Sequence, residues 1–202
     1  MMRSSLISKA LVAKANFMSP LEIIAVALGV TNILLVAKRN IWNFPVALIM
    51  VALYARIFWD AKLYSDAGLQ GFFFAVNLYG WWSWRANKAV AGEVVVETLP
   101  PVGLWLWVAA SLAAVIGWGA IMARLTDASY PYWDASVAML SVAAQLLMTW
   151  RKIENWYWWI VVNILSIGLY AVKGLYLTTG LYVVFLVLAV WGLINWRKAV
   201  QT

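Results

Sequence analysis

Cysteine and histidine are both absent from the 202 residues of this chain. Those absences exclude haem held by protein His or Cys ligands, Cys/His zinc sites, thiol chemistry and imidazole acid–base catalysis. Acids are scarce too: eight Asp and Glu in all, most of them near expected helix ends. Arg56, Asp60 and Asp134 make no recognisable triad or ligand set, so no catalytic residue, no metal and no cofactor is expected. The phosphate loop G-x-x-x-x-G-K-[ST] is missing, and with it that route to ATP. No polar stretch is long enough to fold alone outside a membrane.

Apolar surface is what the chain has in excess. It is 65% hydrophobic with a mean hydropathy of +0.83, where soluble domains are about half apolar. Fifteen Trp and nine Tyr suit the belts at membrane–water interfaces. The net charge of +7 comes from bases set two or three at a time in short connections. That pattern orients membrane helices and gives no concentrated basic face, so no nucleic-acid partner is expected.

The fold class expected is all-α integral membrane. Seven spans are placed near 20–37, 43–60, 69–85, 103–123, 132–149, 156–173 and 180–196, each close to the ~20 residues that cross hydrocarbon. Pro20 and Pro45 fall in first turns, where a missing N–H costs little. Residues 1–19 carry Arg3, Lys9 and Lys14 among apolar side chains and suggest an amphipathic surface segment, not a signal peptide.

The chain is written twice. Residues 28–85 match residues 140–197 at a constant offset of 112, with 16 identities in 58 positions and no gap. Arg39, Asn43, Gly68, Gly80, Trp84 and Arg85 recur as Arg151, Asn155, Gly180, Gly192, Trp196 and Arg197. Shared apolar composition does not explain matched Arg, Asn and Gly at turns. The units expected are a first three-helix repeat at 20–85, a loop at 86–102, a linker helix at 103–123 and a second three-helix repeat at 132–197. Three spans plus one is even, so both repeats enter from the same side and are parallel. Lys38, Arg39, Arg85, Lys88, Arg151, Lys152, Arg197 and Lys198 share one face, assigned to the cytoplasm with the C-terminus.

A doubled membrane unit with polar residues at mid-depth points to transport. Asn77 and Asn163 lie mid-span, where lipid offers no partner. Either they form helix–helix hydrogen bonds, worth ~0.6–2 kcal/mol, or they face a cavity and bind hydroxyl or amide groups. Their counterparts at the 112 offset, Ala189 and Val51, are apolar, which favours the second reading. Phe73 and Trp81 follow Asn77's helix face, and Trp159 precedes Asn163 by a turn. An amide flanked by aromatic rings suits a flat polar ring or a cation. Gln70 and Gln145 are further candidates. Asp134 is a helix-start acid or an outer gate, and Arg56 with Asp60 is a local ion pair. Trp84, Trp156 and Trp196, at span ends, are expected to be interface anchors. Gly80, Gly168 and Gly192 are expected to be close-packing points.

Two runs carry a family resemblance: PYWDASVAMLSVAAQLLMTWRKIENWYWWIVVNILSIGLYAVKGLY from Pro131 to Tyr176, and LQGFFFAVNLYGWWSW from Leu69 to Trp84. They resemble the PnuC nicotinamide riboside transporters, and the resemblance extends over residues 20–198. It implies a 3+1+3, full-length SWEET-like fold, a homotrimer in the bacterial inner membrane among lipid, and facilitated diffusion of nicotinamide riboside with trapping by phosphorylation. By position it implies substrate contacts at Gln70, Phe73, Asn77, Trp81, Trp159 and Asn163, with Asp134 in the matched Trp-Asp element. Relatives carry thiamine or other vitamins, so a sister specificity stays open. The alternative of another class is a membrane scaffold or an intramembrane enzyme.

Overall fold

The computed structural model describes residues 20–60, 64–126 and 129–200. The amphipathic segment expected at 1–19 lies outside the described residues. Seven helices occur among those described: α1 Pro20–Ala37, α2 Asn43–Asp60, α3 Tyr64–Ala91, α4 Pro101–Leu125, α5 Pro131–Thr149, α6 Asn155–Val172 and α7 Tyr176–Val200. Prolines open α1, α4 and α5, where the missing N–H has no helical acceptor to lose. The expected spans fall within these helices or run at most a residue past them. The segment assigned to a loop at 86–102 is helical as far as Ala91, so α3 outlasts its expected end.

Three helices, α4, α6 and α7, are long and apolar enough to cross a membrane. The apolar parts of α1 and α2 are shorter, Ile23–Ala37 and Asn43–Ile57. That is fewer than the seven expected, and the reason is physical. On α3 and α5 the residues Gln70, Asn77, Ser141 and Gln145 turn toward a central cavity, which lowers hydropathy where no lipid is met. An 18-residue helix still rises about 27 Å, close to the hydrocarbon thickness.

Six helices close a ring. Contacts run α1 to α2, α2 to α3, α3 to α5, α5 to α6, α6 to α7 and α7 back to α1. Helix α4 stands outside, against α5. It exposes Trp105, Leu106 and Ile116 and is fixed from the ring by a 3.0 Å bond from the Trp158 indole N–H to Ser111 Oγ.

Local features recur 112 residues apart. Helices α1 and α5 both end with the next arginine in the left-handed region, Arg39 at φ 56° and Arg151 at φ 59°. In each turn the N–H of the following residue reaches back five positions, Asn40 to Leu35 and Lys152 to Leu147, both 2.9 Å. This is the Schellman closure, in which glycine normally takes the left-handed place. Asn43 and Asn155 each donate a side-chain N–H to the carbonyl three residues back, at 2.7 and 2.6 Å.

The indole N–H of Trp84 donates to the carbonyls of Met148 and Thr149, at 3.3 and 3.2 Å. That of Trp196 donates to Val36 at 3.0 Å. Their rings meet at 5.9 Å and receive Phe44 and Trp156 edge-on. Trp84, Trp196 and Trp156 are therefore buried and are not the interface anchors expected. The Trp84 and Trp196 N–H groups add a donor to carbonyls at the ends of α5 and α1, of which Met148 O and Val36 O also accept the arginine N–H of their turn, while the buried Trp156 N–H has no partner. Gly80 sits under Phe44 and Gly192 under Trp156, close enough that a methyl group would collide with either ring. Gly168 meets Trp133 in the same way, so all three glycines are close-packing points.

Residues 92–100 pack as an ordered strap, with Val94 and Val96 buried. The Glu97 N–H donates to Arg151 O and the Ile153 N–H to Glu97 O, at 3.0 and 2.9 Å. The Glu97 carboxylate accepts from Arg151 at 3.0 Å and Lys152 at 2.7 Å.

Replacing Gly192 with alanine should drive the new methyl into Trp156 and cost about 1–3 kcal/mol, read as a lower melting temperature in detergent. Gly117→Ala, on the outer face of α4 with open space around it, should be neutral or stabilising by up to about 1 kcal/mol. The bond from Lys152, helped by Arg151 and opposed by partial burial, holds the Glu97 carboxyl below its ordinary value of 4.5. A lowered folded pKa means stability that is present above the ordinary value and lost as pH falls through the folded one. Melting temperature should therefore drop on acidification past the carboxylate range, and Glu97→Gln should remove part of that drop. The part is small, since the Glu97 side chain is 42% exposed and screened by solvent.

Candidate functional site

The ring encloses a cavity of about 1540 Å³, lined from α1, α2, α3, α5, α6 and α7. Typical small-molecule pockets hold ~300–1,000 Å³, so this volume includes a vestibule. The lining starts among exposed residues at 175–177 and ends among the buried Val36, Met148, Trp156 and Ala189. It is therefore open at the end away from the paired arginine turns and floored by the aromatic cluster at the other. Among the described residues, no Lys, Arg, Asp or Glu lines the cavity.

Five of the seven expected site residues meet here: Gln70, Phe73, Asn77, Trp159 and Asn163. Asn77 is 3% exposed. Its Nδ2 donates to Phe73 O at 2.8 Å on its own helix, and its Oδ1 accepts from Gln145 Nε2 at 3.1 Å. The amide pair thus joins α3 to α5 at the cavity wall, so Asn77 makes the expected helix–helix hydrogen bond and also faces the cavity. Asn163 is buried at 4% exposure and lines the cavity. No protein hydrogen bond is formed by its amide among the described residues, which leaves its donors and acceptor for a guest.

Two expected residues are elsewhere. Trp81 is half-buried against the aromatic cluster and does not line the cavity. It lies one turn beyond Asn77, where α3 already meets the floor. Asp134 pairs with Lys173 at 2.8 Å, tying the start of α5 to the end of α6 away from the lining. Its charge is spent on that bridge. Arg56 and Asp60 form the expected local pair at 2.8 Å.

Several lining residues went unassigned from sequence. Asn32 donates to Asn43 O at 2.7 Å and links α1 to α2 at the wall. Tyr170 and Tyr182 stack at 5.2 Å, and Tyr182 meets Phe185 edge-on. A signal for the last two was available: Tyr182 and Phe185 stand 112 residues after Gln70 and Phe73. Both members of each pair line the cavity, as do Ala189 with Asn77, Val51 with Asn163 and Ile33 with Gln145. Position recurs around the wall and polarity does not.

Residues 19–198 match the family model described as nicotinamide mononucleotide transporter. A nicotinamide riboside transporter, PnuC, of Escherichia coli (strain K12) is 28% identical over 209 residues, covering 91% of this chain and 87% of that protein. A riboflavin/roseoflavin transporter, RibM, of Streptomyces davaonensis is 25% identical over 172 residues, covering 84% and 80%. A crystal structure of the vitamin B3 transporter PnuC superposes with a TM-score of 0.76 at 32% identity, covering 97% of this chain and 88% of that one.

The two mid-span asparagines should separate in a stability test. Asn163→Leu should leave the melting temperature unchanged or raised, because it removes a buried amide that has no protein partner. Asn77→Leu should lower stability by about 1–2 kcal/mol, because it orphans the Gln145 amide.

Proposed function

The chain belongs to the nicotinamide mononucleotide transporter family, and from that membership we propose that it moves nicotinamide riboside across the bacterial inner membrane by facilitated diffusion. It is a multi-pass membrane protein. The observation that carries the choice of substrate is the uncharged lining, built of amides and aromatic rings. Nicotinamide riboside has a cationic pyridinium, a carboxamide and a ribose. Rings such as Phe73, Trp159, Tyr182 and Phe185 suit the first through cation–π attraction. Asn163, Gln70 and the free edge of the Asn77–Gln145 pair suit the others. The mononucleotide adds a phosphate dianion, and among the described residues no lining base offsets its desolvation. The nucleoside is therefore favoured over the nucleotide.

The architecture proposed is two parallel three-helix repeats, α1–α3 and α5–α7, with α4 as the linker, in the 3+1+3 SWEET-like arrangement. The recurrence at 112 residues and the closed ring support it. Alternating access then comes from rocking of the two halves about the cavity. The arginine turns and the C-terminus are placed in the cytoplasm, so the cavity opens outward. Uptake without ion coupling is supported by the lack of a lining carboxylate among the described residues, since proton relays place one at mid-membrane. Phosphorylation in the cytoplasm would trap the product. Assembly is proposed as a homotrimer in lipid. A second reading, a flavin-type or other flat vitamin such as thiamine, is favoured by the riboflavin-transporting relative and by the size of the cavity.

Calorimetry on the purified protein tests the substrate. Nicotinamide riboside should bind saturably, and the mononucleotide and thiamine much more weakly. Asn163→Leu should weaken binding roughly tenfold or more. Equal binding of nucleoside and nucleotide would sink the charge argument, and binding of riboflavin or thiamine alone would move the protein to the second reading. In liposomes without a kinase, uptake should stop at equilibration. Accumulation driven by a pH or sodium gradient would refute uncoupled transport.

A further inference from the structure

We propose that the strap at residues 92–100 is the latch of the cavity's closed end, anchored at Glu97 and released at Arg39. The proposal rests on the transport reading, which requires the aromatic floor to part between α1–α3 and α5–α7. The tryptophan bonds that cross this parting come as a matched pair, Trp84 to Met148 and Thr149 and Trp196 to Val36. The strap, between α3 and α4, touches the arginine turn of both halves.

Its two attachments differ. On the α5–α6 turn it is held by two backbone bonds, by the Glu97 carboxylate on Arg151 and Lys152, and by a 2.9 Å bond from the Leu99 N–H to Glu154 Oε1. Arg151 is itself steadied by a 3.0 Å bond to Ser83 Oγ. On the α1–α2 turn the strap is held by the Arg39 side chain, which donates to Val94 O at 3.3 Å and stands 3.4 Å from Glu93. Glu93 is 69% exposed, so solvent screens that pair. The weaker attachment gives way first. Between them, Val94 and Val96 are buried in one apolar cluster with Trp84, Trp156 and Trp196, so parting the floor disturbs the strap.

Arg39 is also an unexpected residue for its backbone. A left-handed position ending a helix suits glycine, and a side chain there costs stability. The Arg39 contacts with the strap give the side chain a use that offsets this. Arg39→Gly is therefore a clean test: it relaxes the turn while deleting the latch.

The chain has no cysteine, so a single reporter thiol can be placed at Ala189→Cys, at the buried end of the cavity, and a second at Thr178→Cys, at its mouth. A membrane-impermeant maleimide is applied from the face that carries the strap. Arg39→Gly should keep or raise the melting temperature and speed labelling of the Ala189→Cys thiol roughly fivefold or more, the effect of losing one charge-assisted contact. Glu97→Gln should also speed labelling of that thiol through the anchor, with a slightly lowered melting temperature from the lost pairs to Arg151 and Lys152. Labelling of Thr178→Cys from the opposite face should not rise. Unchanged labelling at the buried reporter in both variants would overturn the latch, and so would equal acceleration at both reporters, which marks general loosening. Labelling needs no substrate, so an error in the substrate assignment would not disturb this readout.

Discussion

A helix that ends inside a packed, water-poor region must give its last carbonyls a donor, because each one left unpaired costs free energy comparable to a lost hydrogen bond. Here indole N–H groups from across the molecule serve the ends of α1 and α5. Trp84 reaches the end of α5 and Trp196 the end of α1. These bonds fix the two joints, α3 to α5 and α7 to α1, that turn two sets of three helices into one closed ring. They also stack both tryptophans at the centre, so the same contacts form the floor on which the cavity rests. The glycines beneath Phe44 and Trp156 let the flanking rings come close enough to seal that floor.

Above the floor the wall obeys a different rule. Its positions are shared between the two halves, and its chemistry is not. Where one half supplies Asn77, Asn163 or Gln145, the other supplies Ala189, Val51 or Ile33. A symmetric wall would present the same groups to a ligand in two opposed orientations. The unequal wall gives a guest with one polar end a single best way to lie. In the proposed transport reading the frame and the specificity are therefore carried by different residues, which suits a chain whose relatives include a nicotinamide riboside transporter and a riboflavin/roseoflavin transporter.

Much of this was legible in the sequence. Matched Arg, Asn, Gly and Trp at a fixed spacing located the helix ends, because turns and close contacts restrict residue type more than lipid does. Mid-depth Asn77 and Asn163 located the wall, because amides are costly in hydrocarbon. The tryptophans were misread. An indole at the end of an apolar span suits the membrane interface and a buried carbonyl equally, and only the packing of the partner half distinguishes them. Trp81 was misplaced because helical spacing gives a face and not the depth at which that face meets the floor. Asp134 was misplaced because its partner, Lys173, is 39 residues away in the chain. The strap went unread because Val94, Val96 and Glu97 have no period, and their meaning depends on the Arg151–Lys152 turn they meet.

The deep cavity and thin floor have an electrical consequence. Water in an open cavity carries nearly the potential of the side it opens to, so the membrane voltage falls mainly across the low-dielectric layer of packed rings. A full crossing is worth about 2.3 kcal/mol per elementary charge per 100 mV. In the proposed orientation, with an interior-negative membrane, a cation resting on Trp156 has the steepest part of that field directly beneath it. The opening of the aromatic packing is then the electrogenic step, and the carrier proposed, without a coupling ion, would still draw on the voltage of the cell.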